Sequence, residues 1–463
     1  MRGIQAFMEK HFVPIAAKFG SNRVLIAIRD SFIGTLPATM AGSIAVMLNA
    51  IIRDLPTQFF PAYNGNEIPV IAQIIGVNGF VWNGTLAIAG VIFAISWGYN
   101  LSRTFGVEGM PGSLVSLGSL IMGVNFVATT ADGETAWGFL QLSHLGPAAI
   151  FTAMILGAIS VTIYIVLMKK KITIKLPDSV PPAVSKAFTA IIPATAGLYA
   201  VAIISYVFSL NAASIVNALN TTANPFTSGF IVDVIQRVIA QPLLGLSQGY
   251  GPVAIVTILV SLLWFFGLHG PNVLAPILDG VWGTAQTMNV NAVGATNLQT
   301  VREAIAAGQQ INGEDVFMWV RGSFDAYAWF GGSGGTITLL IAIFLFSKRA
   351  DYKTVGKLGV GPGIFNINEP VMFGLPIVLN PMMLIPFFLA PFVATTIGYL
   401  ATALGLVYPV TQSVVWVVPP FLMSYLATLD WRAPIVTLVS FAASFIIYVP
   451  FVIAANAQEE TDA

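Results

Sequence analysis

The stretch GIFNINEPVMFGLPIVLNP, residues 363–381, carries one carboxylate, Glu369, among ten apolar residues, three asparagines, three prolines and two glycines. In a segment this apolar an ionised acid is expensive: at the centre of a membrane helix it costs about 2.5–3.5 kcal/mol on insertion scales. Pro370 also removes a backbone donor and opposes a straight helix. Asn366, Asn368 and Asn380 supply amides that bond either freed backbone groups or a polar ligand. Two readings follow for Glu369. It contacts a ligand, or it ties down a broken hairpin near the interface. The ligand reading is preferred because acids inside a membrane are functional by default.

A second candidate lies in LLWFFGLHGPN, where a strongly apolar run ends at His269. Of three histidines, His11 lies in the polar N-terminal arm and His144 at a span edge, so only His269 adjoins a broken apolar segment. It is either a structural hydrogen-bonder or a participant in chemistry. Trp416, in QSVVWVVPPFL, is a platform for a sugar face or an interfacial anchor, and residues alone favour the anchor. Trp82 and Asn83, in VWNGTLAI, share that ambiguity. Together these residue types suit a neutral, hydrogen-bonding solute, and a Glu–His pair also suits proton-coupled transport. No basic clamp for an anion is evident. One intramembrane histidine with scattered carboxylates falls short of the four ligands of a structural zinc, so no metal site is expected. No cofactor-binding motif, phosphate loop or Ser-His-Asp spacing stands out. The absence of cysteine excludes disulfides, thiolate metal sites and a cysteine nucleophile within this chain.

The elements that must position these groups follow from composition. Of 463 residues 56% are hydrophobic and 9% charged, and mean hydropathy is +0.82. Soluble chains carry about 25% charged residues, so an integral membrane protein is implied. Twenty basic and twenty acidic residues leave no field for nucleic acid. Apolar runs at 31–52, 85–101, 112–128, 147–168, 190–210, 253–268, 334–346, 382–406, 413–429 and 434–455 predict an all-α integral membrane fold of about ten transmembrane helices. Basic clusters at Arg2–Arg29, Lys169–Lys186 and Lys348–Lys357 are placed on the cytoplasmic side, and the loops 54–76 and 130–138 outside. The N-terminus lacks a signal-like core and is expected to be retained and cytoplasmic. Residues 171–188 read as a cytoplasmic linker or surface-lying helix, and 289–317 as a second polar insertion. Residues 266–283 and 363–381 are too broken for plain spans and read as two re-entrant hairpins lining a polar cavity. With them goes FGGSGGTITLL (330–340), whose glycines permit close backbone or ligand approach. No internal repeat is seen.

In order along the chain, VWNGTLAI, KITIKLPDSVPPAVSKAF, LLWFFGLHG, WFGGSGGTITLLIAIF and PGIFNINEPVMFGLPIVLNP resemble the membrane IIC component of the lactose/cellobiose/diacetylchitobiose branch of the bacterial sugar phosphotransferase system. The resemblance runs from about residue 20 to 457 and is strongest to cellobiose and diacetylchitobiose permeases. It implies an elevator-type transporter in the bacterial cytoplasmic membrane that carries a β-linked disaccharide, whose 6-hydroxyl is then phosphorylated from a phosphocysteine on a IIB protein charged through IIA. With no cysteine here, IIB must be a separate cytoplasmic partner. The family fold implies an N-terminal interface domain that forms a homodimer (1–170 with the helix at about 190–210), a linker at 171–189, and a C-terminal sugar-binding domain (211–463). Carried over by motif, His269 in LHG and Glu369 in NEP contact and activate the sugar, with Asn366, Asn368, Asn83 and Trp416 as further contacts. The segment HGPNVLAPILDGVWG departs from the family pattern at its proline and Asp279, which bears on sugar preference. The competing reading remains a proton-coupled sugar transporter using the same pair.

Overall fold

A computed structural model describes residues 22–462 except 61, 130–133, 178, 220–227, 312–314, 376 and 379. Arg2, Lys10 and Lys18 of the basic arm lie outside the described residues, as do parts of the loop at 130–138, the linker, the polar insertion and the second broken segment. The described chain is helical apart from one small hairpin, Val127–Thr129 paired antiparallel with Thr135–Trp137.

Among the described residues six helices are long and apolar enough to cross a bilayer: Arg23–Thr57, Pro69–Thr104, Pro147–Lys169, Val184–Ser214, Met382–Ala403 and Ala433–Asn456. A seventh arises if Ile231–Ser247 and Tyr250–Phe265, separated by a break, count as one span. About ten spans were expected, and three of the expected runs fall short of this length among the described residues for local reasons. The run at 112–128 forms only the 13-residue helix Gly109–Ile121 before the chain enters the small hairpin. The run at 334–346 yields the 11-residue helix Thr336–Phe346, because four glycines just before it adopt positive φ. The run at 413–429 is non-helical through Pro419, with a turn at 416–417, and only Pro420–Thr428 is helical. Two consecutive prolines remove two donors and hold the residue before each out of the helical region. By contrast Pro386 and Pro391 sit inside the helix Pro381–Ala403, as membrane helices allow where neighbours satisfy the freed carbonyls.

The described chain forms two compact units that interleave in sequence. One comprises 22–42 and 80–245, the other 43–79 and 246–462. In the first, Phe93, Trp97, Leu120 and Tyr164 form the centre of a buried core. Helices approach closely there: a Cβ on Gly98 would lie 2.2 Å from the Gly112 carbonyl oxygen. Small residues replace the hydrophobic effect as the basis of packing, since lipid is as apolar as leucine. In the second unit Trp264, Trp282, Trp319, Phe324, Tyr327, Phe387 and Tyr448 fill the core. Exposed side chains such as Ile95, Leu114, Ile203 and Ile446 form surfaces a water-soluble protein would not tolerate but lipid covers. The linker is non-helical through 172–177, and from Pro182 the chain joins the 38-residue helix Pro182–Leu219. Its Lys186 pairs with Glu108 at 2.5 Å, which holds the Glu108 carboxyl below the usual range.

Candidate functional site

The second unit brings His269 and Glu369 together. The helix Tyr250–Phe265 stops where Gly267 takes φ 76°, a turn only glycine makes without strain. His269 then caps the short helix Gly270–Val273: the Asn272 backbone N–H donates to its Nδ1 at 3.2 Å. A neutral imidazole accepting at Nδ1 carries its proton on Nε2. That nitrogen faces Glu369 Oε1 at 3.6 Å, with the two side chains 35% and 45% exposed. This spacing exceeds a hydrogen bond. Glu369 opens the helix Glu369–Gly374, whose first turn tolerates Pro370 because the donor it lacks has no partner there anyway. The Trp264 ring lies 4.6 Å from the imidazole and also meets Phe373 edge-on at 6.2 Å, so the histidine is walled on one side by indole.

The neighbouring asparagines are turned to backbone. Asn366, at φ 61°, accepts the Gly331 N–H (3.0 Å) and donates to the carbonyls of Trp416 (2.7 Å) and Val418 (2.9 Å). Asn368 donates to the Ser333 carbonyl at 2.8 Å, and both residues are buried. One amide thus joins three irregular stretches: the glycine loop, the turn before Glu369 and the non-helical run after Ser413. The loop takes left-handed φ at Gly331, Gly332, Gly334 and Gly335. A Cβ on Gly332 would sit 2.8 Å from that of Asn368, so the loop lies directly against the site. The Tyr448 hydroxyl, from the last helix, donates to Gly334 O at 2.6 Å. These contacts tie Asn366 and Asn368 to the backbone around the Glu369 turn. The Trp416 side chain is 41% exposed while its carbonyl is held. Asn380 caps the helix beginning at Pro381. Asn83 is the last residue of the helix Pro69–Asn83, is exposed, and belongs to the other unit.

Other groups escaped the sequence reading. Trp264 looked like one more residue of an apolar run. Asp279, noted only as a departure, lies 3.3 Å from Arg321, which also binds Asp325 at 2.7 Å and stacks 4.7 Å from the Trp329 ring. The spacing of Arg321 and Asp325, one helical turn apart, was the available signal. In the other unit His144 is buried, with Nε2 on Asp233 at 2.9 Å and Nδ1 accepting the Asn125 N–H at 3.2 Å. Ser228 donates to the second Asp233 oxygen. The hydroxyl therefore faces the carboxylate and not the imidazole, so this is no nucleophilic triad.

Fold and site together describe a multi-pass membrane protein whose described polar pair sits between interrupted apolar segments. The chain matches the profile of the family described as Phosphotransferase system, EIIC, over residues 29–391. It is 46% identical to the PTS system cellobiose-specific EIIC component of Lactococcus lactis subsp. lactis (strain IL1403), with the whole of both chains covered. It is 34% identical to the PTS system oligo-beta-mannoside-specific EIIC component of Bacillus subtilis (strain 168), over 96% of this chain and 92% of that one. The crystal structure of the transporter ChbC, the IIC component from the N,N'-diacetylchitobiose-specific phosphotransferase system, is similar with a TM-score of 0.82 and 30% identity, covering 98% of this chain and 99% of that one. The chain belongs to the EIIC family of the phosphotransferase system.

Proposed function

We propose that this chain is the permease of a phosphotransferase system for a β-linked disaccharide of the cellobiose or diacetylchitobiose type. It binds the sugar, carries it across the cytoplasmic membrane and presents its 6-hydroxyl to a separate IIB protein bearing a phosphocysteine, itself charged through IIA. The observation that carries this reading is the His269–Glu369 pair, a donor and an acceptor facing each other across 3.6 Å. A sugar hydroxyl both accepts and donates, so it bridges such a pair. Seating it with ordinary hydrogen bonds requires the two side chains to part by about 0.8 Å.

The roles then divide. Nε2–H of His269 donates to the hydroxyl oxygen and orients it, and the Glu369 carboxylate accepts its proton. The sugar oxygen attacks phosphorus, forming the O–P bond. The P–S bond breaks with its electron pair on sulfur, which leaves as the carrier's thiolate. Because Nδ1 is already occupied by the Asn272 N–H, the histidine serves as donor and the glutamate as base. The similarity to cellobiose and diacetylchitobiose components supports the sugar class. We further assign the sugar-carrying, elevator-like motion to the unit holding this pair, with the segments near 266–283 and 363–381 as re-entrant hairpins, and homodimerisation to the other unit. The N-terminus is assigned to the cytoplasm.

The test is uptake and phosphorylation of cellobiose and diacetylchitobiose by the reconstituted chain, with IIB, IIA and the soluble carriers that charge IIA from phosphoenolpyruvate. Sugar phosphate should form only when IIB, IIA and phosphoenolpyruvate are all supplied. Accumulation of unmodified sugar that needs none of them and collapses with an uncoupler would sink the reading in favour of proton coupling.

A further inference from the structure

The helix Ala350–Ile364 leads from the basic run at Lys348 directly to the turn that ends in Glu369. Its two faces differ. One is made of glycine: a Cβ on Gly356 would meet Phe344 at 3.1 Å, on Gly359 Val371 at 2.7 Å, and on Gly363 Ile337 at 3.4 Å. That face lies flat on its own unit. The opposite face is uncovered, with Lys357 exposed, Leu358 70% exposed, and Ile364 and Phe365 45% and 53% exposed where the helix gives way to the site.

Lipid is a poor match for this face. The helix is absent from the segments apolar enough to enter a bilayer, the shorter apolar helices included. Over residues 348–357 four basic residues stand against one acid, Asp351, and Arg349 already holds that acid at 2.6 Å. Lys353 and Lys357, one turn apart, therefore project positive charge that no neighbouring acid in this stretch cancels. The chain itself has no cysteine to carry a phosphoryl group, so the group reaches Glu369 on another molecule.

We propose that the exposed face of the Ala350–Ile364 helix is the docking surface for the soluble phosphoryl carrier, a protein presenting an acidic surface and a thiol-bound phosphoryl group of nearly two negative charges. This rests on the functional reading above and adds where its partner sits. Lys353 and Lys357 attract and orient the carrier, and Leu358, Ile364 and Phe365 provide the apolar contact next to the site. The scale is suitable: Lys357 lies about 10 Å along the helix axis from Ile364, within the radius of gyration of a 100-residue domain, about 13 Å. A carrier seated on the lysines thus reaches the end of the helix, from which the chain turns to Glu369.

The test is steady-state phosphorylation of cellobiose by the full-length chain in nanodiscs, titrating phosphorylated IIB protein, with Lys353→Glu/Lys357→Glu against wild type. The expected result is a rise of about 10–100-fold in KM for the carrier, with kcat and cellobiose Kd within about two-fold of wild type. Wild-type KM should also rise between low and high salt, and the variant's should not. Reversing Lys170 and Lys175 in the other basic run should leave KM unchanged. An unchanged carrier KM in the double variant would overturn the docking face, and so would an equal effect from Lys170 and Lys175, which would mean diffuse charge. A defect that appears only with anionic lipid in the nanodisc would overturn it in favour of headgroup binding. If wild type itself forms no sugar phosphate, the functional reading fails first, an outcome distinct from sugar phosphate made with an unaltered KM.

Discussion

Two histidine–carboxylate pairs in this molecule are built alike and finished differently. His144 and His269 each accept a backbone N–H at Nδ1, from Asn125 and Asn272, and each turns Nε2 to an acid. In the first pair the contact is 2.9 Å, the ring is buried, and Ser228 occupies the other carboxylate oxygen. That pair is complete. In the second the gap is 3.6 Å and both side chains are partly open. The difference teaches that hydrogen-bonding capacity left over, more than residue type, marks a place for a ligand. A satisfied pair holds its own chain together, and an unsatisfied one has something to offer a solute.

Substitution should separate the two. Glu369→Gln is expected to cut sugar phosphorylation by about 10²–10⁴-fold, the usual worth of a positioned base, while Asp233→Asn should leave turnover per folded molecule within about two-fold. Comparable losses in both would end the contrast. His269→Gln should lower kcat/KM by about 10²-fold with the fold intact. His144→Gln should instead lower unfolding stability in detergent by about 1–3 kcal/mol, the cost of stranding Asp233. A purely kinetic defect at His144 would contradict that. Asn366→Ala strands the Gly331 N–H and two carbonyls, and a loss of about 2 kcal/mol together with weaker sugar binding should follow; unchanged binding would mean the Glu369 turn stands without it. Ser228→Ala should cost about 1 kcal/mol and leave transport alone. The smallest effect belongs to the surface ion pair of Asp351 and Arg349. Arg349 holds this carboxyl below the ordinary range, so its contribution is present above the usual aspartate value of about 3.9 and fades only as pH falls through the lowered one. Asp351→Asn should therefore shift the melting temperature by less than about one degree at pH 7.

Much of the site could be read in advance because polar residues are conspicuous in apolar sequence. Glu369 and His269 stood out, and their segments proved as irregular as their prolines and glycines suggested. The asparagines were harder. Asn366 and Asn368 have the composition of ligand contacts, and only the fold shows the Asn366 amide bonded to Gly331, Trp416 and Val418 and the Asn368 amide donating to Ser333. Trp264 was hidden for the opposite reason, since an indole in an apolar run carries no mark of facing a histidine. Span counting failed where hydropathy and backbone disagree. The run at 413–429 is mostly apolar, yet Pro419 and Pro420 keep its first half out of a helix. Hydropathy measures what lipid accepts, and it is silent on whether a helix forms.

The last helix has a consequence for how the gene tolerates damage. Tyr448 donates to Gly334 O, and about two turns further along the same helix Asn456 receives the Lys348 N–H at 2.8 Å and donates to Phe346 O at 3.0 Å. A premature stop ahead of codon 448 would do more than shorten a span, for it would unhook the glycine loop that lies against the turn before Glu369. A stop after codon 457 would spare both hooks, and a reporter fused there would leave the working interior untouched.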